Sequence, residues 1–198
     1  MKKWVIYILC FLLYFGLTGC SENEAVVDAS SDKTDHVMDV GQASIVGIPS
    51  IKAALTYKST GFGEPCVIVG TVTDKVVEER ERGALYQVEV HQVIHGDVGE
   101  VNLLQTYGFE WNSDEPYLMI LIPRLSNKNE YHRVGVYQTL FWVEDGQLQG
   151  GSKTLVEEIK ADIAAKTYTR NGVVPDVNTM DGLAEYFAAR IEALEKTK

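Results

Sequence analysis

From Cys66 to Gln149 the chain is cut into short apolar runs by turn residues, with no helical period between them. No other feature limits the fold as much. Cys66–Thr73 is a Val/Ile-rich strand, and Gly70 inside it marks a bulge or bend. Glu78–Gly83 is a charged turn. Leu85–Ile94 alternates, so that Tyr86, Val88, Val90 and Ile94 are expected on one face and Glu89 and His91 on the other. His95–Gly99 turns the chain into a third strand, Glu100–Tyr107. Tyr117–Pro123 is almost wholly apolar and reads as the central buried strand. Tyr131–Gly135 reads as a short edge piece and Tyr137–Glu144 as a further strand. Asp145-Gly146 is a strong hairpin turn into Gln147–Gln149. Strands joined directly by turns point to an antiparallel barrel or sandwich.

Helical signals flank this region. Ile51–Leu55 follows Pro49-Ser50 and reads as a short helix. Ser152 can cap a helix running from Lys153 toward Lys166, with Leu155, Ile159 and Ile163 on one stripe. Thr179 or Asp181 can cap a last helix whose Met180, Leu183, Ala184, Phe187, Ile191 and Leu194 follow helical spacing. The stripe suits a helix packed on the strands better than one reserved for a partner. The expected fold is mainly β with C-terminal helices (α+β), a small antiparallel β-barrel packed by one or two helices. Its expected divisions are 45–150 for the barrel and 151–198 for the helices.

The N-terminus speaks to location. Met1-Lys2-Lys3 is a basic start, and Trp4–Gly16 is an uncharged apolar run, short for a bilayer span of about 20 residues. Leu17-Thr18-Gly19-Cys20 follows and resembles the bacterial lipobox. The resemblance implies cleavage after Gly19 and a diacylglycerol on Cys20, with residues 1–19 as lipoprotein signal peptide. Two acyl chains anchor stably where one is marginal, at about 0.8 kcal/mol per buried CH₂. The alternatives are an ordinary secretory signal ending in Gly-Cys, or an uncleaved anchor. Residues 20–44 are polar and acidic and read as a disordered tether. As a flexible coil it holds the domain roughly 25–30 Å from the lipid. The expected location is the extracytoplasmic face of a bacterial membrane.

The net charge of −10 argues against nucleic acid and against a polybasic grip on anionic lipid. Of the three cysteines, Cys10 is in the signal and Cys20 takes the lipid, so Cys66 is left without a partner for a disulfide. It heads an apolar run and reads as a buried small hydrophobe.

Three runs carry a further likeness: Val-x-Val-Gly-x-Val within Val67–Val72, Val88–Gly96 with its Val-Ile-x-Gly end, and Phe141–Gly146 with Asp-Gly closing it. With the Gly-bearing loop and Tyr117-Leu118 between them, the layout over Cys66–Leu148 resembles small OB-like barrels of secreted and lipid-anchored bacterial proteins, distantly similar to netrin and metalloproteinase-inhibitor barrels. The cysteines that staple those inhibitor domains are absent, which argues against an inhibitor.

Chemistry is sparse. His91 and His95 lie on a strand, where four residues span about 13 Å, too far for one metal. The Asp32–Asp39 and Glu78–Glu81 runs lack a calcium-loop pattern. Ser113, Asp114, Glu115 and His132 can be drawn as a triad only by choice, so no catalytic residue, metal or cofactor is assigned. The segment Tyr107-Gly108-Phe109-Glu110-Trp111 joins two strands and carries three aromatics, which suits a recognition site at Tyr107, Phe109 and Trp111 or a plug in one end of the barrel. The expectation is a non-enzymatic binding module with an envelope protein as partner. The alternative is an envelope hydrolase built from distant residues, such as His132 with a carboxylate.

Overall fold

Seven strands form one sheet in the order β1-β2-β3-β5-β4-β6-β7, and a further β1–β4 pairing closes the first five into a barrel. The computed structural model describes residues 47–106, 112–135 and 138–197. The strands are β1 (Cys66–Arg80), β2 (Gly83–His95), β3 (Val101–Thr106), β4 (Tyr117–Arg124), β5 (Asn127–Arg133), β6 (Leu140–Glu144) and β7 (Gln147–Gly150). The helices are α1 (Ile51–Leu55), α2 (Lys153–Ala164) and α3 (Met180–Glu195). This is a mainly β fold with C-terminal helices and an OB-like barrel. One pairing departs from an all-antiparallel barrel: β3 and β5 run parallel, with Asn102 opposite Glu130 and Leu103 opposite Tyr131.

The apolar run Tyr117–Ile122 is explained by its position. β4 pairs β1 along one edge, and β5 and then β6 along the other. Both of its faces are covered. Tyr117, Met119 and Leu121 enter the barrel interior beside Ile68, Val88 and Leu103. Leu118, Ile120 and Ile122 face the opposite way, into a second core with Val67, Val69 and the helices. A strand buried on both sides has no solvent face to alternate with, so its sequence is continuous in apolar residues.

The helices close the second core. The Ser152 hydroxyl accepts the Leu155 N–H at 3.3 Å, starting α2, and Leu155 and Ile159 are buried. Thr179 accepts the Gly182 N–H at 3.1 Å, starting α3. Leu183, Tyr186, Phe187 and Ile191 of α3 lie in the core, so the last helix packs on the barrel. Burying a side chain such as Phe187 contributes roughly 1.5–3 kcal/mol. Ser50 caps α1 through the Ala53 N–H at 3.1 Å.

Four local expectations change. The charged segment Glu78–Arg80 continues β1 rather than turning, and the turn is confined to Glu81-Arg82. β5 is a full strand from Asn127 inserted between β3 and β4, not an edge piece at Tyr131–Gly135. Ile94 leaves the face of Tyr86, Val88 and Val90 and packs on the helix-side core. The cause is a register shift: Gly70 pairs Val90 while Val69 pairs Gln92, so His91 is the extra residue and side-chain parity is flipped by the time the strand reaches Ile94. The strand expected over Tyr137–Glu144 begins at Leu140, with Gln138 and Thr139 in a turn. Two further local signals hold. The ladder shifts between Val69 and Gly70, and Asp145 and Gly146 take φ of 50° and 68° in the β6–β7 turn. Cys66 is buried in the barrel, and that burial pushes its thiol up to about 12, as expected of an inert packing residue.

Candidate functional site

The most heavily charged place in the barrel wall is built around Glu130. Its side chain is only 1% exposed, and basic groups from three strands converge on it. Oε1 accepts from Arg80 Nη1 at 3.0 Å and Arg124 Nη1 at 3.0 Å, and lies 2.9 Å from His132 Nε2. Oε2 accepts from Arg80 Nη2 at 2.8 Å. Arg80 also holds Glu78, Nε to Oε1 at 2.9 Å and Nη2 to Oε2 at 3.1 Å. The Phe62 ring stands edge-on to His132 at 4.9 Å between centroids.

The fold brings these groups together in a specific way. Arg80 ends β1, Arg124 ends β4, and Glu130 and His132 share the outward face of β5, while Tyr131 between them points into the barrel. The cluster therefore ties the β1–β2 end to the β4–β5 end across the outside of β5. Gly83 is what lets the β1–β2 turn lie so close, because a Cβ there would stand 2.1 Å from the Gln105 carbonyl oxygen.

The electrostatics follow. Burial alone would push the Glu130 carboxyl up, but the hydrogen bonds from Arg80, His132 and Arg124 outweigh it and hold the group at about 2. Burial pulls His132 below its ordinary 6.5, against the opposing pull of Glu130, so the ring is neutral at pH 7. With Nε2 donating to Glu130, Nδ1 is left as an acceptor. A carboxylate held by two arginines is a poor base. The His132 ring is bonded to Glu130 and meets the Phe62 ring, and among the described residues it has no hydrogen bond to Ser113, Asp114 or Glu115. The cluster holds buried charge in the barrel wall.

Cys20 and the aromatics Tyr107, Phe109 and Trp111 lie outside the described residues. The two ends of the aromatic segment are described. At one end Thr106 pairs Gly83, and Gly83 pairs Arg80, so the segment leaves β3 in the same row as the arginine. At the other end the Asn112 N–H donates to the Tyr117 hydroxyl at 3.0 Å, and the Tyr117 ring meets Trp142 edge-on at 5.9 Å. His91 Nε2 lies 2.8 Å from Thr71 Oγ1, and His95 lies 3.9 Å from Glu195, so the two imidazoles have different neighbours. Among the described residues no group of His, Cys, Asp and Glu could hold a metal ion, and no helix is long and apolar enough to cross a membrane.

Sequence reasoning singled out His132 but missed Glu130, Arg80 and Arg124. Glu130 and His132 at i, i+2 on one strand face are a readable signal. The two arginines are not, since Arg80 lies fifty residues away along the chain.

No family model, curated protein or solved structure matches the chain.

Proposed function

We propose that the chain is a lipid-anchored, extracytoplasmic binding module without catalytic activity. A diacylglycerol on Cys20 holds it to a bacterial membrane, and residues 20–44 serve as its tether. Its contact face is the aromatic segment with Tyr107, Phe109 and Trp111. The partner is a protein of the envelope. One observation carries this reading: Thr106, the residue before the aromatic segment, lies in one row with Gly83 and with Arg80 of the Glu130 cluster. Aromatic and arginine side chains are the residue types that concentrate binding energy at interfaces. The acidic balance of −10 favours a protein over nucleic acid.

Crosslinking the anchored protein on living cells tests the proposal. A recurrent partner recovered with the native chain and lost with folded Trp111→Ala is the expected result. An identical partner profile from both chains removes the aromatic segment from the site.

The 2.9 Å approach of His132 to Glu130 supports a second reading, an envelope hydrolase with His132 as its base. That reading requires an activity that disappears in a folded His132→Ala chain.

A further inference from the structure

The ribbon β6–β7 lies outside the closed barrel and joins the sheet through the pairing of β6 with β4. Its register sorts its residues onto two faces. Phe141 opposes Gly150 and Val143 opposes Leu148, and Phe141 and Leu148 are buried in the helix-side core. Trp142 opposes Gln149 and Glu144 opposes Gln147, so these four side chains share the other face. Between Cα atoms that face measures about 7 Å along the strand and about 5 Å across it. Trp142 and Gln149 are half-buried, and Glu144 and Gln147 are exposed. The indole is held in place. The Tyr117 ring meets it edge-on at 5.9 Å, and a Cβ on Gly150 would stand 2.6 Å from its Cε3, so only glycine leaves room for the ring. Burial pushes the Tyr117 hydroxyl up, and the charges of Glu115 and Glu144 add to this, which puts the Glu144 carboxylate on the Tyr117 side of the ribbon. The carboxamides of Gln147 and Gln149 make no side-chain hydrogen bond among the described residues.

We propose that this face binds a neutral glycan, with one pyranose ring against the accessible part of Trp142. The negative face of an indole attracts the C–H groups on the apolar side of a sugar ring. Each carboxamide offers two donors and an acceptor, and Glu144 offers acceptors only, a set that can answer neighbouring hydroxyls in both senses. The chemistry of the four residues selects the ligand. None of them is a cation, and the chain's charge of −10 repels an acidic polysaccharide. The ring is already immobilised, so binding loses little side-chain entropy. The site is separate from the aromatic segment, and it takes from the extracytoplasmic reading only the place where such a glycan is met.

The test uses the full-length chain in a zwitterionic detergent free of sugar. Cellotetraose and its N-acetylated counterpart chitotetraose are the probes, both neutral pyranose chains, each titrated calorimetrically to about 5 mM because a contact of one ring is weak. Binding of at least one probe is expected. Replacing both glutamines, Gln147→Ala with Gln149→Ala, leaves the two cores untouched and is expected to weaken binding about fivefold or more. Trp142→Ala is expected to weaken it about tenfold or more, in a chain shown by circular dichroism to be folded. Where Trp142→Ala does not fold, the double glutamine variant decides. Trp111→Ala is expected to leave sugar binding unchanged. No binding of either probe, or native binding in the double glutamine variant or in folded Trp142→Ala, overturns the site. Loss of sugar binding in Trp111→Ala also overturns it, by moving the sugar to the aromatic segment. Cell crosslinking separates the two readings. A partner lost with Trp111→Ala, with no sugar bound, removes the glycan site and leaves the module. Sugar binding lost with the glutamines, with no partner on cells, keeps the glycan site and removes the aromatic contact face.

Discussion

Two of the buried charged centres among the described residues are opposites. In the barrel wall a carboxylate, Glu130, is surrounded by cations. Between the C-terminal helices a cation, Arg190, is surrounded by acids. Arg190 of α3 pairs with Glu158 and Asp162 of α2, and its Nη1 also donates to the Tyr186 hydroxyl at 2.6 Å. Tyr186 in turn donates to Asp162 at 2.7 Å, and the Tyr168 ring lies 5.0 Å from the guanidinium carbon. Burial pushes the Tyr186 hydroxyl up, and its bond to Asp162 adds to this, so it stays a neutral donor. Glu158 reaches further and accepts the Ile51 N–H at 2.8 Å, fastening α1 to the same centre.

The difference lies in what faces water. The Arg190 side chain is 7% exposed, and its acids come from the helix it must hold. It is a closed fastening of three helices. The Glu130 centre is closed only at its middle, and its arginines and Glu78 look outward. A buried ion pair is weak evidence of stabilisation, because desolvation offsets much of the attraction, but removing one partner alone is costly. The same physics makes one centre a closed fastener and leaves the other partly open to water.

The largest expected effect comes from breaking the closed centre. Arg190→Met leaves Glu158 and Asp162 facing each other without a cation, and is expected to cost about 3–5 kcal/mol in urea unfolding. A loss below about 1 kcal/mol would make the two centres energetically alike and break the comparison. Glu130→Gln comes next. It removes the buried charge on which Arg80 and Arg124 converge and is expected to cost about 2–4 kcal/mol by the same measurement.

Acid titration sharpens the contrast. The Glu130 carboxyl sits at about 2 in the folded chain against an ordinary 4.5, so the unfolded chain takes the proton first. The stability it supplies is complete above pH 4.5 and is lost as pH falls toward 2, on the order of 3 kcal/mol. Glu130→Gln is expected to flatten the melting temperature over that window, and an unchanged acid limb would mean that other carboxylates set it. His132 acts in the same direction at higher pH. Its folded value lies below 6.5, so its contribution is complete above 6.5 and is lost as pH drops beneath it. His132→Gln should remove that shallow slope. Smallest of all, Glu78→Gln is expected to leave the thermal midpoint at pH 7 where it was. A large drop would make Glu78 part of the fastening rather than an exposed neighbour of Arg80.

The signal-like start, the lipobox resemblance and the acidic balance were legible because each is a local or summed property of the chain. So were Ser50, Ser152 and Thr179 as caps, and Asp145-Gly146 as a hairpin turn, since caps and turns are settled within four residues. Tyr117–Ile122 announced a strand buried on both faces through composition alone. The tertiary structure decided what depends on residues distant in sequence. It placed β5 parallel to β3, because barrel closure selects the neighbour and no turn joins those strands. It turned Ile94 to the other core through a single extra residue in the ladder. It also gave Glu130 its arginines from the ends of two other strands. A chain records which side chains are charged, but whether a charge meets water or another charge depends on which strand ends the closed barrel brings together.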